Sequence, residues 1–437
     1  MNKKPLYIAF TALFIALLAI PVWLSPFFGT GTGKAPSPVN SEGRFDYGFA
    51  AKADEYLSDR MSAGKWLITA YSDAVETLLH TSVKDKVIVG RDGWLFYADT
   101  LDDYTGRSAP RNGELEMLCR TLELVNEYVT STGGNFVFIA APNKNTVYPE
   151  YMPLNYTQGS DSFLTALDAA MADKSYYLSL SAALGNAGVQ TYHKKDTHWN
   201  SLGAAVAYRM TAEALSRRYT DYMSVGYTLR EDHDGDLSAM LMPAWRRPDT
   251  QAYFNNVRGF SYKGNFRSTD DLIIETQGDG EGSLLLFRDS FGVALYPLMA
   301  GDFAEAYISR VVPYRLDLLA AAPRDAVVIE IAERNLRNLL YEAPVIPAPQ
   351  RTAPTDVAEL HVDGIKTEVV RGLTHITGST DDFYGTVYLR IEASDGTFYF
   401  EACPQLDADS SACGFSAYID IPSDSIKGIA VLGSRYR

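Results

Sequence analysis

The chain is 437 residues long, more than a single domain usually needs, and its 46% apolar and 21% charged content suits a globular protein with a sizeable core rather than a disordered one. Lys and Arg number 39 against 54 Asp and Glu, a net charge of −15 with no compensating basic run. That balance argues against a nucleic-acid partner, because phosphate binding needs clustered positive charge.

The chain opens Met-Asn-Lys-Lys-Pro, and Leu6 to Leu24 then pass without a charge, close to the roughly 20 residues that cross a bilayer. Lys3 and Lys4 predict a cytoplasmic N-terminus and a globular part outside the cytoplasm. Residues 1–28 are expected to be an uncleaved, single-pass membrane anchor. A cleaved signal peptide is the rival, but no small-residue cleavage site follows Pro21 to Phe28. Residues 29–44, rich in Gly, Thr, Ser and Pro, are expected to be a flexible linker.

From Phe45 to Leu79 apolar residues recur at helical spacing, predicting one or two helices. Val87 to Phe96 contains two apolar runs joined across Asp92-Gly93, a hairpin signature. The chain then alternates. Helices are predicted over 113–130, 162–171, 201–219 and 291–299, and strands over 136–141, 176–180, 189–192, 284–287 and 326–331. Buried strands separated by amphipathic helices predict an α/β fold with a mostly parallel sheet, whose ligands bind beyond the carboxyl ends of the strands. Residues 343–355 hold a run of prolines and are expected to link the domain over 45–342 to a small β-sandwich over 356–437. Cys403 and Cys413 flank a turn-rich stretch and either pair or stay free, while Cys119 is expected in a helix as a buried apolar residue.

Two strings carry chemistry: Asp196-Thr197-His198-Trp199 before one helix, and Arg288-Asp289-Ser290-Phe291 at the end of an apolar strand. Serine is a weak nucleophile at neutral pH, and a histidine oriented by a carboxylate is the common means of activating it. Asp196 stands two residues before His198, so both side chains can lean one way in an extended segment, with Asn200 capping the helix from Ser201. The plainer alternatives are a helix-entry aspartate, a surface histidine, and an N-cap at Ser290 or Asp289. His193, Asp196 and His198 also have the makings of a facial metal site, although the chain has no zinc-binding spacing.

In this order the two strings resemble the SGNH-hydrolase-like polysaccharide O-acetyltransferases typified by the alginate acetylation proteins AlgJ and AlgX. Further segments similar to that family are Val89 to Phe96, Pro142-Asn143-Lys144 with Tyr148-Pro149-Glu150, Gly235-Asp236-Leu237 and Ile329 to Arg334. The resemblance spans about residues 45 to 340. It implies an SGNH-hydrolase-like (flavodoxin-like) sheet in which Ser290 is the nucleophile, His198 the base and Asp196 its orienter, passing through an acetyl-serine.

The same resemblance implies a supporting role for Tyr296 and an oxyanion role for Asn143; an ordinary helix-face aromatic and a turn residue are the alternatives. Arg288 stands where the usual Gly-Asp-Ser block has glycine, and Asp196 to His198 is one residue shorter than Asp-x-x-His; both departures point to the acetyltransferase branch. By position, the C-terminal module resembles a carbohydrate-binding domain, and Tyr384, Tyr388 and Tyr399 either stack on sugars or pack its core.

No cofactor is implied. The expected partners are a polysaccharide acceptor, the membrane through the N-terminal helix, and a membrane-bound O-acyltransferase as acetyl donor. The alternatives are an acetylesterase using the same residues and a non-catalytic glycan-binding scaffold.

Overall fold

The computed structural model describes residues 62–434 apart from 112, 246 and 408–412, together with 10–12, 14–16, 36–39, 48, 49 and 52. The expected membrane segment and flexible linker lie mostly outside the described residues. Among the described residues no helix is long and apolar enough to cross a membrane. The chain forms two compact units: Met1–Ala98 with Lys194–Asp196 and Asp232–Asp249, and Asp99–His193 with Thr197–Glu231 and Thr250–Arg437.

In the first unit a helix, Ser62–Leu79, precedes the antiparallel hairpin of β1 (Val87–Val89) and β2 (Leu95–Tyr97). Asp92 and Gly93 both have positive φ, 55° and 76°, and Trp94 N donates to Arg91 O at 3.0 Å. This primed turn matches the twist of paired strands, which is why Asp-Gly stands there. The hairpin buries Val87, Val89 and Leu95 against Leu237, Leu241 and Met242, which lie on and just after the Asp236–Leu241 helix.

The second unit holds a seven-stranded sheet. Its members are β3 (Asn135–Ala141), β4 (Tyr177–Ser179), β7 (Phe260–Lys263), β8 (Ile273–Gly278), β9 (Ser283–Phe287), β10 (Glu305–Ser309) and β11 (Ala326–Ala332). Two further strands, β5 (Tyr227–His233) and β6 (Asp249–Phe254), pair separately. The order is β4-β3-β11-β9-β10-β8-β7, with the first five parallel and β8 and β7 antiparallel at one edge. All seven residues of β11 are buried, as a central strand covered on both faces requires. Each large aliphatic side chain buried there contributes about 1.5–3 kcal/mol.

The helices Glu114–Ser131, Phe163–Ala170, Ser201–Ala214 and Gly292–Ala300 match the predicted periodicity to within a few residues at each end, except that the third stops at Ala214 rather than near 219. Two expectations change. Val189 to Tyr192 adds no strand to the sheet; Tyr192 forms only an isolated bridge with Trp199, because the segment turns back within a few residues. The strand β10, between β9 and β8, was not anticipated; Glu305–Ser309 is short and carries a charge and a serine, which mask its apolar pattern.

The C-terminal strands are β12 (Gln350–Arg351), β13 (Ala358–Glu359), β14 (Val362–Val370), β15 (Leu373–Thr380), β16 (Thr386–Ala393), β17 (Gly396–Leu406), β18 (Cys413–Ile419) and β19 (Ile426–Ser434). They form one antiparallel sheet in the order β13-β19-β16-β17-β18-β15-β14, with β12 also on β17. The expected sandwich of two sheets is instead a single curled sheet. Its long strand β17 pairs with β16 through its first part and with β18 through its last, so the sheet folds over its own core of Ile376, Leu389, Ile391, Phe400, Phe415 and Val431. Tyr384 belongs to that core, while Tyr388 and Tyr399 are half-buried. Cys119, Cys403 and Cys413 are free; register sets Cys403 opposite Ser416 and Cys413 opposite Leu406.

Candidate active site

β9 runs Ser-Leu-Leu-Leu-Phe to Phe287, and after four linking residues the chain enters the Gly292–Ala300 helix. Ser290 stands in that turn, at the carboxyl end of a central parallel strand. Its Oγ lies 2.8 Å from His198 Nε2. The other ring nitrogen, Nδ1, lies 3.1 Å from Thr197 Oγ1, so both nitrogens are engaged. With Ser290 donating to Nε2, the ring proton resides on Nδ1 and the imidazole is poised to accept the serine proton.

His198 is held by its neighbours. Its ring meets Phe291 edge-on at 4.9 Å between centroids, and Trp199 Nε1 donates to Phe291 O at 2.9 Å. Asn200 caps the following helix, accepting from Leu202 N and Gly203 N at 2.9 and 3.0 Å. Gly203 lets that helix press on the loop: a Cβ there would lie 2.3 Å from Thr191 O. His193 is buried and donates through its N–H to His198 O at 3.3 Å.

Asp289 secures the serine turn. Oδ1 accepts from Phe291 N at 2.9 Å, and Oδ2 accepts from Ala332 N at 2.9 Å and Asn335 Nδ2 at 2.8 Å. Beneath it Arg288 is 1% exposed and donates to the carbonyls of Asp289 (3.1 Å) and Thr269. Glu330 on β11 accepts from Asp289 N at 3.2 Å. Burial, then the nearby Asp289 charge, holds the Glu330 carboxyl well above its ordinary range. Burial, and next the Arg310 charge, lowers Arg288, which nonetheless keeps its charge as guanidinium does in proteins.

Asn143 follows β3. Its Nδ2 donates to Asp103 Oδ2 and its N–H to Glu333 Oε2, both at 2.8 Å. Burial raises the Glu333 carboxyl to about 7, with Asp103 adding to the rise. Tyr296 is fully buried in the helix after Ser290, with its hydroxyl 3.0 Å from that of Tyr262 and its ring 5.5 Å from the Arg288 guanidinium.

In the first unit Asp196 Oδ2 accepts from Asp236 N at 3.0 Å and meets His233 Nε2 at 3.1 Å. Burial works to lower the His233 pKa, but Asp196, by hydrogen bond and charge, outweighs it and the net shift is upward. Gly235 makes the approach possible, since a Cβ there would sit 2.2 Å from Lys195 O. Nearby, a cavity of about 300 Å³ is lined by Glu76, Lys194, Lys195, Ser238 and Arg247 among others. The sequence reading missed His233, Glu330 and the part played by Asn335. His233, three residues before Asp236, was signalled only by the unusual density of charge in Glu231 to Asp236.

The site thus sets a serine at the carboxyl end of a central parallel strand, hydrogen-bonded to a histidine brought in by a separate loop. Residues 87–278 match the family model described as SGNH hydrolase-like domain, acetyltransferase AlgX, so the resemblance read in the sequence holds across this segment. The match contains Asp196 and His198 and ends before β9.

Among curated proteins, the probable alginate O-acetylase AlgJ of Pseudomonas aeruginosa is 29% identical over 252 residues, 55% of this chain and 61% of that protein. The AlgJ of Pseudomonas fluorescens is 26% identical over 224 residues, 49% of this chain and 53% of that protein. The chain thus spans less than two thirds of the length of these relatives. Among solved structures, the O-acetyltransferase domain of Pseudomonas putida AlgJ has a TM-score of 0.38 at 22% identity, covering 57% of this chain and 91% of that one. Bacillus cereus PatB1 has a TM-score of 0.45 at 14% identity, covering 57% and 96%.

Proposed function

We propose that this protein is a polysaccharide O-acetyltransferase that works through an acetyl-serine on Ser290. The observation that carries the proposal is the 2.8 Å hydrogen bond between Ser290 Oγ and His198 Nε2, the histidine lying within the segment that matches the AlgX model. Ser290 Oγ bonds to the carbonyl carbon of an acetyl ester as its proton passes to His198. Collapse of the tetrahedral intermediate breaks the ester C–O bond, and the departing oxygen takes the proton. A sugar hydroxyl then gives its proton to His198 and attacks the carbonyl carbon of acetyl-Ser290; the bond from Ser290 Oγ to that carbon breaks, Oγ takes the proton back from His198, and the sugar leaves as the new ester.

Asp196 orients His198 and stabilises the imidazolium formed at each step. The developing oxyanion is met by the Ser290 main-chain N–H, with the Asn143 side chain contributing its second N–H. Tyr296 supports the helix that carries the turn. Residues 45–342 are the catalytic domain and 356–437 a carbohydrate-binding one; a polar groove of about 400 Å³, lined by Lys366, Ser379, Gln405 and Asp407 of the latter together with Tyr341 and Glu342, favours a hydroxylated ligand.

The N-terminal segment anchors the protein with its globular part outside the cytoplasm, where a membrane-bound O-acyltransferase supplies acetyl groups. The alginate named for the relatives is one candidate acceptor. The test is to incubate the purified protein with a chromogenic acetyl ester, with and without oligosaccharide. Wild type should gain acetyl on Ser290 by mass spectrometry and pass it to glycan. Equal rates for wild type and Ser290→Ala, with no acetylated serine, would defeat the proposal. Release of acetate without glycan product would favour an esterase.

A further inference from the structure

We propose that Arg288, the residue standing in place of a glycine, is a positioning residue that aims the Ser290 main-chain N–H at the developing oxyanion. The inference rests on the acyl-serine chemistry proposed above and goes beyond it by assigning the orientation of the donor to a residue that touches no substrate.

A peptide unit is planar and trans, so fixing its carbonyl fixes the opposite direction of its N–H. The guanidinium of Arg288 donates through Nη1 to Asp289 O at 3.1 Å, the carbonyl of the peptide whose N–H belongs to Ser290. The other nitrogen, Nη2, is tied to Thr269 O, so the guanidinium has two anchors. On the preceding peptide Glu330 Oε2 accepts from Asp289 N at 3.2 Å. Both peptides around Asp289 are therefore held, one by its carbonyl and one by its N–H. The Asp289 side chain holds the next donor, Phe291 N, at 2.9 Å. Among the described residues the Ser290 N–H has no protein acceptor, whereas the amides on either side, Asp289 N and Phe291 N, are both held.

Space and charge agree with this role. Gly292 begins the helix with no side chain, and a Cβ there would lie 2.5 Å from Arg288 Cβ, 2.6 Å from Cδ and 2.9 Å from Glu330 Oε2. The turn is thus built around the arginine. Among the described residues no carboxylate lies within ion-pairing distance of Arg288, whose partners are neutral carbonyls. Its positive charge lies two residues from the nucleophile, where negative charge develops in the transition state.

Steady-state kinetics of Arg288→Gln and Arg288→Lys on a chromogenic acetyl ester test this, alongside wild type and Ser290→Ala, with thermal melting of each. For Arg288→Gln we expect kcat to fall about 10- to 100-fold with KM within about twofold, as removal of transition-state stabilisation requires. Arg288→Lys should retain part of kcat, and added guanidinium ion should raise kcat of Arg288→Gln but not of wild type. A kcat for Arg288→Gln within about twofold of wild type overturns the inference, as does a loss that falls on KM or that guanidinium leaves unchanged in a variant melting like wild type. Failure of the acyl-serine proposal would appear separately, as absence of acetylated Ser290 in wild type.

Discussion

At the scale of single residues, the proposed chemistry rests on the Ser290 and His198 pair, and its loss should be disproportionate. Ser290→Ala and His198→Ala are each expected to lower esterase turnover by at least about a thousandfold while leaving the melting temperature near wild type, because neither holds the core. Glu333 gives a pH-dependent prediction. Its carboxyl is raised to about 7, so its contribution to stability is fully present below the ordinary carboxyl range and is lost as pH climbs through about 7. The stability of Glu333→Gln relative to wild type should therefore rise by roughly 2 to 3 kcal/mol between about pH 5 and about pH 8.5, measured by urea unfolding. A flat difference would show that Glu333 titrates normally.

Ser290, His198 and Asp196 were legible as candidates because nucleophile, base and acid stand in short strings next to strand and helix signals. Arg288 was legible only as an oddity, a charged residue in place of glycine. Its role depends on where one carbonyl points, and backbone direction leaves no trace in residue identity. Glu330 was hidden more completely: a glutamate in the middle of Val-Val-Ile-Glu-Ile looks like an interruption of a buried strand, yet it sits fully buried there, where burial raises its carboxyl well above the ordinary range.

At the scale of elements, the turn glycines and the caps do the positioning. Asn200→Ala should cost about 1 kcal/mol by removing the cap of the Ser201–Ala214 helix. Gly203→Ala should cost more, about 1–3 kcal/mol, since its Cβ would press on Thr191 O at 2.3 Å and the loop carrying His198 must shift. Activity should fall with it, whereas Asn200→Ala should be felt mainly in the melting temperature. The central strands were readable from their unbroken apolar runs and the hairpin from Asp92-Gly93. Val189 to Tyr192 has the same composition as a strand and is not one, because its pairing is decided by Trp199 and the turn that follows. Short edge strands such as β7 and β8 carry polar residues on their open faces and gave no apolar run to find.

At the scale of the whole second unit, the C-terminal sheet and the Glu114–Ser131 helix share one core. Cys403 and Leu406 of β17 pack with Leu118, Leu122 and Val125, and Thr121 Oγ1 lies 3.6 Å from Cys403 Sγ. Glu401, 1% exposed in its side chain, sits between Arg120 and Arg351 and bonds to both. Glu401→Ala would leave Arg120 with Glu123 alone and Arg351 with Glu127 alone, and is expected to cost about 1–3 kcal/mol, read by denaturant unfolding. Glu401→Gln should cost less. A chain ending at residue 342 should melt at lower temperature or aggregate, because the helix would expose the side that β17 covers. Proline content suggested a linker between 343 and 355, within which Gln350–Arg351 pairs with β17 as β12, and composition could not reveal that the strands beyond it return to the same core.

That return has a consequence for how the protein comes into being. The helix at Glu114–Ser131 joins partners such as Arg120 and Glu401, which are separated by 281 residues along the chain. Loop closure on that span is slow and must precede its reward, so a newly emerging chain holds an apolar helix face open until β17 has followed. Growing chains halted before β17 should bind a general chaperone that releases them once the strand is present, making assembly of this unit a race between completing the polypeptide and sticking to a neighbour.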